Sequence, residues 1–517
     1  MAEQKSGGMK RTLGLTGVTV NAMALIAPGA FLWMTFQLQA ANVDASGAST
    51  APDMWTGIVA ALVVAFLTAI AFAELARRYP DAGTGSAYYF AEKAFLDREK
   101  PSHRRWARLA KFVTGWAAHL FYWVYPGVMV AFFATLVTYI AGQFGIVIPT
   151  IGQILIAVLF SALVGFIAVR GISGSTTASI VINVIQLTTL VIFSIMAIMF
   201  RVQNPLGVSP EGWYHPAPSS IILPHNLTGL LFQSTIAILI LVGLESATAL
   251  GSEAKNPKRD IPRGVLLSLV IQGLFAYLLQ YFAANYALSD KLVATVNGAQ
   301  VTGIGAAAVS SAPIGDMAVQ LGNAFLGGNG FAFMLVIAAT VAIAILGTTL
   351  AAMNTGVRIS FAMAQDAEMP DVMGLLHAKH ATPYVGVVIM VIVSAIIGAV
   401  GVAGGVTALT GITLASNLGT FVLYALICGL TVVAFAGTHG FSRIKHGIVP
   451  VVGLLLNIVM VLTIFIVGIA SGGTTADATY LAIIISAGWL VFSLLYFVIT
   501  SRARGKAIVP SIAAMTE

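Results

Sequence analysis

The sequence contains twelve apolar stretches, most of them about 20 residues long, and this feature restricts the chain to one class of fold. A stretch of that length crosses the hydrocarbon core of a bilayer as an α-helix. Hydrophobic residues make up 58% of the 517 residues and charged residues only 9%, unlike a soluble domain. We therefore predict an all-α membrane protein with 12 transmembrane helices. The predicted helices lie near residues 15–39, 55–75, 110–142, 150–170, 175–200, 227–250, 263–287, 331–361, 384–402, 406–436, 449–470 and 479–500.

The lysine and arginine residues are distributed unevenly among the predicted connections. With the N-terminus inside, 24 of the 26 fall on the inner side, and only Arg201 and Lys291 fall outside. This imbalance follows the positive-inside rule, so the net charge of +7 indicates orientation in a lipid bilayer and not a nucleic-acid partner. We expect a multi-pass protein of the plasma membrane with both termini in the cytoplasm.

The first apolar stretch has an unusual centre, ALIAPGAFLW (24–33), in which Pro28 and Gly29 are adjacent. These are the two residue types least compatible with a helix interior. Unwound peptide groups in hydrocarbon cost several kcal/mol each unless a polar group meets them. The start of a half-helix suits a carboxylate, and free carbonyls suit an ammonium group or a cation. A break here therefore favours a site for a zwitterionic amino acid, with a proline kink that binds nothing as the alternative.

Two long connections, residues 76–109 and 288–330, occupy corresponding places if helices 1–5 and 6–10 are two repeats. Because five is odd, the second repeat is inverted, and the charges agree, since the first connection is strongly basic and the second nearly uncharged. Inverted repeats with broken helices at matching positions are typical of transporters. Gly243 in helix 6 corresponds to Pro28-Gly29. The predicted units are a tail (1–14), repeat 1 (15–200), an outer connection (201–226), repeat 2 (227–436), two further helices (437–501) and a tail (502–517).

One segment, GLESATALGSEAKNPKRDIPRGV (243–265), resembles the helix 6 to 7 region of the amino acid, polyamine and organocation (APC) superfamily. Three further segments agree with that resemblance: AELARRYPDAGTGSAYYF (73–90), RGISGSTTASIVINVIQL (170–187) and RISFAMAQDAEMP (358–370). The resemblance implies a LeuT-type fold, a 5+5 inverted repeat with broken helices 1 and 6 and two C-terminal helices. It also implies a secondary transporter that imports an amino acid by alternating access. The alternatives are a polyamine or organic-cation carrier, an exchanger, and a transporter-like nutrient sensor.

The resemblance places the substrate between helices 1 and 6. Its carboxylate would meet backbone amides near Pro28, Gly29 and Ala30, although Pro28 has no N–H to donate. Its amine would meet carbonyl oxygens of both broken helices. The predicted substrate-binding residues are Leu25, Ile26, Ala27, Pro28, Gly29, Ala30, His119, Leu239, Val242 and Gly243.

His119 is the only histidine within a predicted span. It is interpreted either as a packed core residue with one hydrogen bond or as a group that contacts the substrate side chain or relays a proton.

Candidates for ion coupling are Glu245, Gln186, Thr348 and Thr349. Glu245 is the acid placed most deeply in any span, and intramembrane acids often carry protons; alternatively, it caps the second half of helix 6 or pairs with a cytoplasmic base. Gln186 stands where several proton-coupled relatives have a lysine, so their mechanism does not transfer. Thr348 and Thr349 offer hydroxyls either to a sodium ion or to their own helix backbone. We expect protons as the driving ion and sodium as the alternative.

No cofactor, metal site or enzymatic activity is expected. Cys428 is the single cysteine, and the histidines show no metal-ligand spacing on a span. The sequence also has no phosphate-binding GxxxxGK motif, which argues against an ATP-driven pump. The oligomeric state is unknown at this stage.

Overall fold

The computed structural model describes residues 11–26, 28–170, 176–380 and 382–511. The predicted site residue Ala27 and parts of both predicted tails, residues 1–10 and 512–517, lie outside the described residues. Among the residues described, eleven helices are long and apolar enough to cross a membrane. The prediction of an all-helical multi-pass membrane protein is therefore confirmed.

Helices account for most of the described chain, and one β-hairpin joins them. The hairpin consists of β1 (Val293–Val296) and β2 (Ala299–Thr302), which pair antiparallel. The α-helices are α1 (Leu15–Ile26), α2 (Pro28–Ala40), α3 (Met54–Arg78), α4 (Ala87–Leu96), α5 (Pro101–Arg104), α6 (Ala107–Gln143), α7 (Thr150–Val169), α8 (Thr176–Gln203), α9 (Leu227–Ala237), α10 (Pro257–Leu269), α11 (Leu279–Ala287), α12 (Gly303–Val309), α13 (Pro313–Phe325), α14 (Gly330–Gln365), α15 (Tyr384–Ala403), α16 (Gly405–Phe435), α17 (Val449–Ala470) and α18 (Gly473–Ala503).

Two predicted spans are not single α-helices. The span Leu227–Leu250 continues α9 with 3₁₀ segments at Ile238–Ile240 and Leu244–Leu250. The span Pro257–Ala287 joins α10 to α11 through a π-helix at Val270–Leu278. The stretch predicted at 15–39 contains α1 and α2, of 12 and 13 residues, on either side of Ala27, which lies outside the described residues.

The interrupted segments lie in the interior of the bundle. Helix α6 packs against α14, α15 and α16, while α3 packs against α9 and α10. Apolar side chains such as Ile151, Ile466 and Ile484 are more than half exposed on α7, α17 and α18. Exposed apolar surface on spans of this length suits contact with lipid. The outer helices therefore separate α1, α2 and α9 from the membrane.

Both long connections contain structure of their own. The first includes a 3₁₀ segment at Pro80–Gly85 followed by α4 and α5, and the second includes the β-hairpin followed by α12 and α13.

Candidate functional site

The span Leu227–Leu250 changes conformation near its middle. Helix α9 ends at Ala237, and Gly243 has a φ angle of +121° before the 3₁₀ segment that follows. A positive φ of this kind favours glycine because a Cβ atom would clash with the backbone. This is the segment in which the sequence predicts the second break.

Gly243 lies directly against the end of α1. A Cβ atom added to Gly243 would lie 2.9 Å from Cβ of Leu25 and 3.1 Å from the backbone nitrogen of Ile26. Only a residue without a side chain allows the two segments to approach so closely. Leu25 and Ile26 on one side and Leu239 and Val242 on the other are all fully buried. We call these four residues and Gly243 the junction.

Each of the last four carbonyl oxygens of α1 accepts a hydrogen bond from a side chain of another helix. The four pairs are Gln272 Nε2 to Met23 O at 3.4 Å, Thr348 Oγ1 to Ala24 O at 3.0 Å, the Tyr125 hydroxyl to Leu25 O at 3.2 Å, and the Tyr277 hydroxyl to Ile26 O. The last four carbonyls of any α-helix have no donor within the helix. Four side-chain donors at successive carbonyls in a nonpolar interior are therefore what an interruption of the helix directly after Ile26 would require.

Two of these donors, Gln272 and Tyr277, belong to the π-helix Val270–Leu278. Short π-helical segments shift the side chains that follow them and often occur at functional sites. Here the segment places an amide and a hydroxyl on the same end of α1.

The end of α9 is satisfied in a similar way. Asn417 of α16 donates its amide to the carbonyl oxygen of Thr235 at 2.7 Å. The side-chain oxygens of Asn417 and Gln272 are buried and have no partner among the described residues. Buried acceptors without a donor are uncommon, and water or a ligand usually supplies one. Polar acceptors are thus available beside both interrupted segments.

The described part of α2 starts with Pro28, Gly29 and Ala30. Proline is favoured at the first position of a helix because that position needs no N–H donor. If a new helix starts here, its first amides are unsatisfied within it and favour an anion. The backbone of Gly29 and Ala30 would then suit the carboxylate of a substrate.

The carboxylate of Glu245 accepts three hydrogen bonds, one of them from Gly243 of the junction. Its carboxylate accepts from the hydroxyls of Tyr122 at 3.1 Å and Tyr424 at 2.9 Å and from the backbone N–H of Gly243 at 3.1 Å. The residue is only 3% exposed. In the described part of the chain, the ion pairs involve other acids, such as Glu253 and Glu368. The hypothesis that Glu245 pairs with a cytoplasmic base is therefore not supported, and the carboxylate instead links Gly243 to α6 and α16.

His119 lies in a different group of side chains. Its Nε2 atom is 2.9 Å from Ser360 Oγ, and its ring packs edge to face against Trp116 and Trp123. This environment matches the interpretation of a packed core residue with one hydrogen bond. Its contact with a substrate stays a prediction.

The other coupling candidates lie beside α1 or face their own helix. Thr349 donates to Ile345 O at 2.6 Å, which matches the interpretation that it bonds to its own helix backbone. Thr348 does not follow that interpretation, because its hydroxyl bonds to Ala24 O of α1 instead. Gln186 is buried, and its side-chain oxygen has no partner among the described residues.

Several residues of the site were not predicted from the sequence. Tyr125 and Tyr277 bond to carbonyls of the junction itself. Gln272, Asn417, Tyr122 and Tyr424 bond to Met23, Thr235 and Glu245 beside it. The available signal was their polarity within apolar spans, where polar side chains usually have a function or a partner.

The Tyr277 hydroxyl offers a direct test of how α1 ends. We expect Tyr277→Phe to lower the thermal stability of the purified protein, because the buried carbonyl of Ile26 loses its donor at a cost of about 1–3 kcal/mol. Thermal unfolding in detergent measures this effect. Tyr480, which is 49% exposed, provides the control variant Tyr480→Phe, with no expected change. Equal melting temperatures for both variants and the wild type would contradict this description of the helix end.

Comparison with known proteins identifies the family. The amino acid permease family model matches residues 11–492. The L-methionine/branched-chain amino acid exporter YjeH of Escherichia coli (strain K12) is 31% identical over 271 residues, which are 52% of this chain and 54% of the relative. The branched-chain amino acid permease BcaP of Lactococcus lactis subsp. cremoris (strain MG1363) is 27% identical over 363 residues, 66% of this chain and 67% of the relative. BcaP of Bacillus subtilis (strain 168) is 22% identical over 436 residues, 81% of this chain and 80% of the relative.

The chain spans about half the length of the exporter that it matches and four fifths of the Bacillus permease. The family model matches nearly the whole length of this chain. The chain therefore belongs to the amino acid permease family of the APC superfamily, and it is a multi-pass membrane transporter of that type and not an enzyme.

Proposed function

We propose that the protein is a secondary active transporter that imports an apolar amino acid across the plasma membrane by alternating access, coupled to protons. The observation that carries this proposal is the junction, where the end of α1 meets Gly243 in a buried, largely apolar environment. The names of the three relatives described above, which refer to methionine and branched-chain amino acids, support the substrate class.

A zwitterionic substrate fits the polar groups around the junction. Its carboxylate would bind the first-turn amides of α2 at Gly29 and Ala30. Its ammonium group would bind the carbonyl oxygens of Leu25 and Ile26, since a carbonyl has two lone pairs and each tyrosine hydroxyl uses one. The side chains of Leu239 and Val242, both fully buried, would form the apolar surroundings of the substrate side chain. Glu245 is occupied by two tyrosines, which disfavours a polyamine that needs a carboxylate for its distal ammonium group.

The same arrangement supports the proposed LeuT-type fold. Helices α1 and α2 would form a broken helix 1, and the interrupted span Leu227–Leu250 would form helix 6. The two repeats, 15–200 and 227–436, would then be related by inversion, with α17 and α18 added at the end. The distribution of lysine and arginine supports a cytoplasmic position for both termini.

Glu245 is the proposed proton carrier. A carboxylate accepts hydrogen bonds with both oxygens, whereas a protonated carboxyl must donate from one of them. Proton binding would therefore change at least one of the three bonds that connect Glu245 to Tyr122, Tyr424 and Gly243. Through Glu245, these bonds connect Gly243 of the junction to α6 and α16. Protonation would therefore change the strength of the contact between the junction and these two helices.

Uptake into proteoliposomes tests the proposal. We expect an inward proton gradient to drive the accumulation of radiolabelled leucine, and one charge moved through 100 mV suffices for roughly 50-fold accumulation. Isoleucine, valine and methionine should compete, whereas lysine and putrescine should not. If accumulation needs a sodium gradient instead, sodium and not the proton is the driving ion. Competition by putrescine without competition by leucine would overturn the substrate class.

A further inference from the structure

A depression on the protein surface, separate from the junction, is lined by basic residues. Its volume is about 470 Å³. It lies between the segment that precedes α1, the turn that precedes α10, and Pro80 in the first long connection. The lining residues are Arg11, Pro80, Lys255, Asn256, Pro257, Lys258 and Arg259.

Among the described side chains, one of its four basic residues takes part in an ion pair. Arg259 pairs with Asp260 at 2.8 Å. In the part of the chain that the structure describes, Arg11, Lys255 and Lys258 are exposed and take part in no ion pair. Positive charges grouped on one concave surface raise the local concentration of anions. The depression is therefore suited to an anionic group such as a phosphate.

The position of the depression indicates the source of that group. Arg259, Arg263 and Leu267 follow one another at intervals of four residues and so share one face of α10. Leu267 is 39% exposed, and Leu274 further along the same span is 42% exposed. Exposed apolar residues on a membrane span face lipid. Arg259 and Arg263 thus stand at the end of an exposed apolar surface, where the phospholipid headgroups of a bilayer around this span would lie.

The depression also spans two segments that are joined through their backbones. The N–H of Leu13 donates to Glu253 O at 3.0 Å, and the N–H of Lys255 donates to Leu13 O at 2.8 Å. Arg11 and Lys255 flank this joint. An anion held by Arg11 on one segment and by Lys255 and Lys258 on the other would draw the two segments together.

We propose that this depression binds the phosphate headgroup of an anionic phospholipid in the leaflet that it borders. The bound lipid holds the start of α1 against the turn that precedes α10. Basic pockets beside membrane spans are known to bind such headgroups, and here the lipid-facing position favours a headgroup over free phosphate.

Lipid retention by the full-length protein in detergent tests the proposal. The protein is incubated with a mixture of phosphatidylglycerol and phosphatidylcholine, and bound lipid is measured by native mass spectrometry. We expect the wild type to retain phosphatidylglycerol. The triple variant Arg11→Gln, Lys255→Gln, Lys258→Gln should retain roughly tenfold less, since each lost charge weakens binding to an anionic headgroup.

A matched control removes the same number of charges elsewhere. Lys379, Arg443 and Lys506 are exposed and lie outside the depression, so their triple glutamine variant should retain phosphatidylglycerol as the wild type does. Lys258→Gln alone should show a smaller loss and replaces the triple variant if the latter does not fold. Unchanged retention in the depression variants would overturn the proposal. Displacement of phosphatidylglycerol by inorganic phosphate at equal concentration would also overturn it, since the site would then select free phosphate.

Discussion

Glu245→Gln is expected to abolish substrate accumulation driven by a proton gradient while preserving substrate exchange. Glutamine has nearly the same size and still accepts one hydrogen bond, but it does not take up a proton. The accumulation ratio, which reaches roughly 50-fold for one charge moved through 100 mV, should fall to unity. Counterflow of radiolabelled leucine, which needs no proton gradient, should continue. Both measurements use the same proteoliposomes, so counterflow also shows that the variant is folded.

Tyr424→Phe is the matched control for Glu245→Gln. It removes one of the hydroxyls that bind Glu245, at 2.9 Å, but leaves the carboxyl group in place. We expect this variant to remain coupled, with a displaced pH dependence of uptake. Unchanged proton-driven accumulation in Glu245→Gln would rule out Glu245 as the proton carrier.

Gly243→Ala is expected to cause the largest loss of substrate binding. The φ angle of +121° is a conformation that costs other residues about 1–3 kcal/mol. The added methyl group would also lie 2.9 Å from Cβ of Leu25, and overpacking of a buried contact costs about 1–3 kcal/mol more. The two segments of the junction must then separate, which should weaken leucine binding by roughly tenfold or more. Equilibrium binding of radiolabelled leucine to the purified protein measures this loss.

Gly347→Ala in α14 is the control for this variant. A Cβ atom at Gly347 meets no neighbouring atom within 4 Å, so its binding and stability should match those of the wild type. Wild-type binding by Gly243→Ala would show that the approach of Gly243 to Leu25 is not part of the site.

Much of the architecture could be predicted from hydropathy because each span is long and uniformly apolar. Helices α3 and α16 begin and end within a few residues of their predicted bounds. The interruption at Gly243 was also predictable, because a glycine followed by Glu245 is conspicuous in an apolar span. In these cases the local sequence determines the structure.

The polar contacts of the site could not be predicted, because they join residues far apart in the chain. Tyr277 donates to Ile26 and Thr348 donates to Ala24, and no local pattern specifies either pair. A threonine hydroxyl in a helix can bond to its own backbone or to a neighbouring helix, so Thr348 and Thr349 were indistinguishable in sequence. Only the packing of α1 against α14 separates them.

The position of His119 depended on a helix outside the predicted repeats. Its indole neighbours include Trp489 of α18, with a ring distance of 6.5 Å. The sequence offered His119 as a possible substrate contact but did not indicate which part of α6 faces α18.

The most direct test of the central claim is a structure of the protein with bound leucine, determined by electron cryomicroscopy. We predict substrate density at the junction, with the ammonium group at the carbonyl oxygens of Leu25 and Ile26 and the carboxylate at the amides of Gly29 and Ala30. Leucine density elsewhere in the protein, with the junction still closed and unoccupied, would contradict the account.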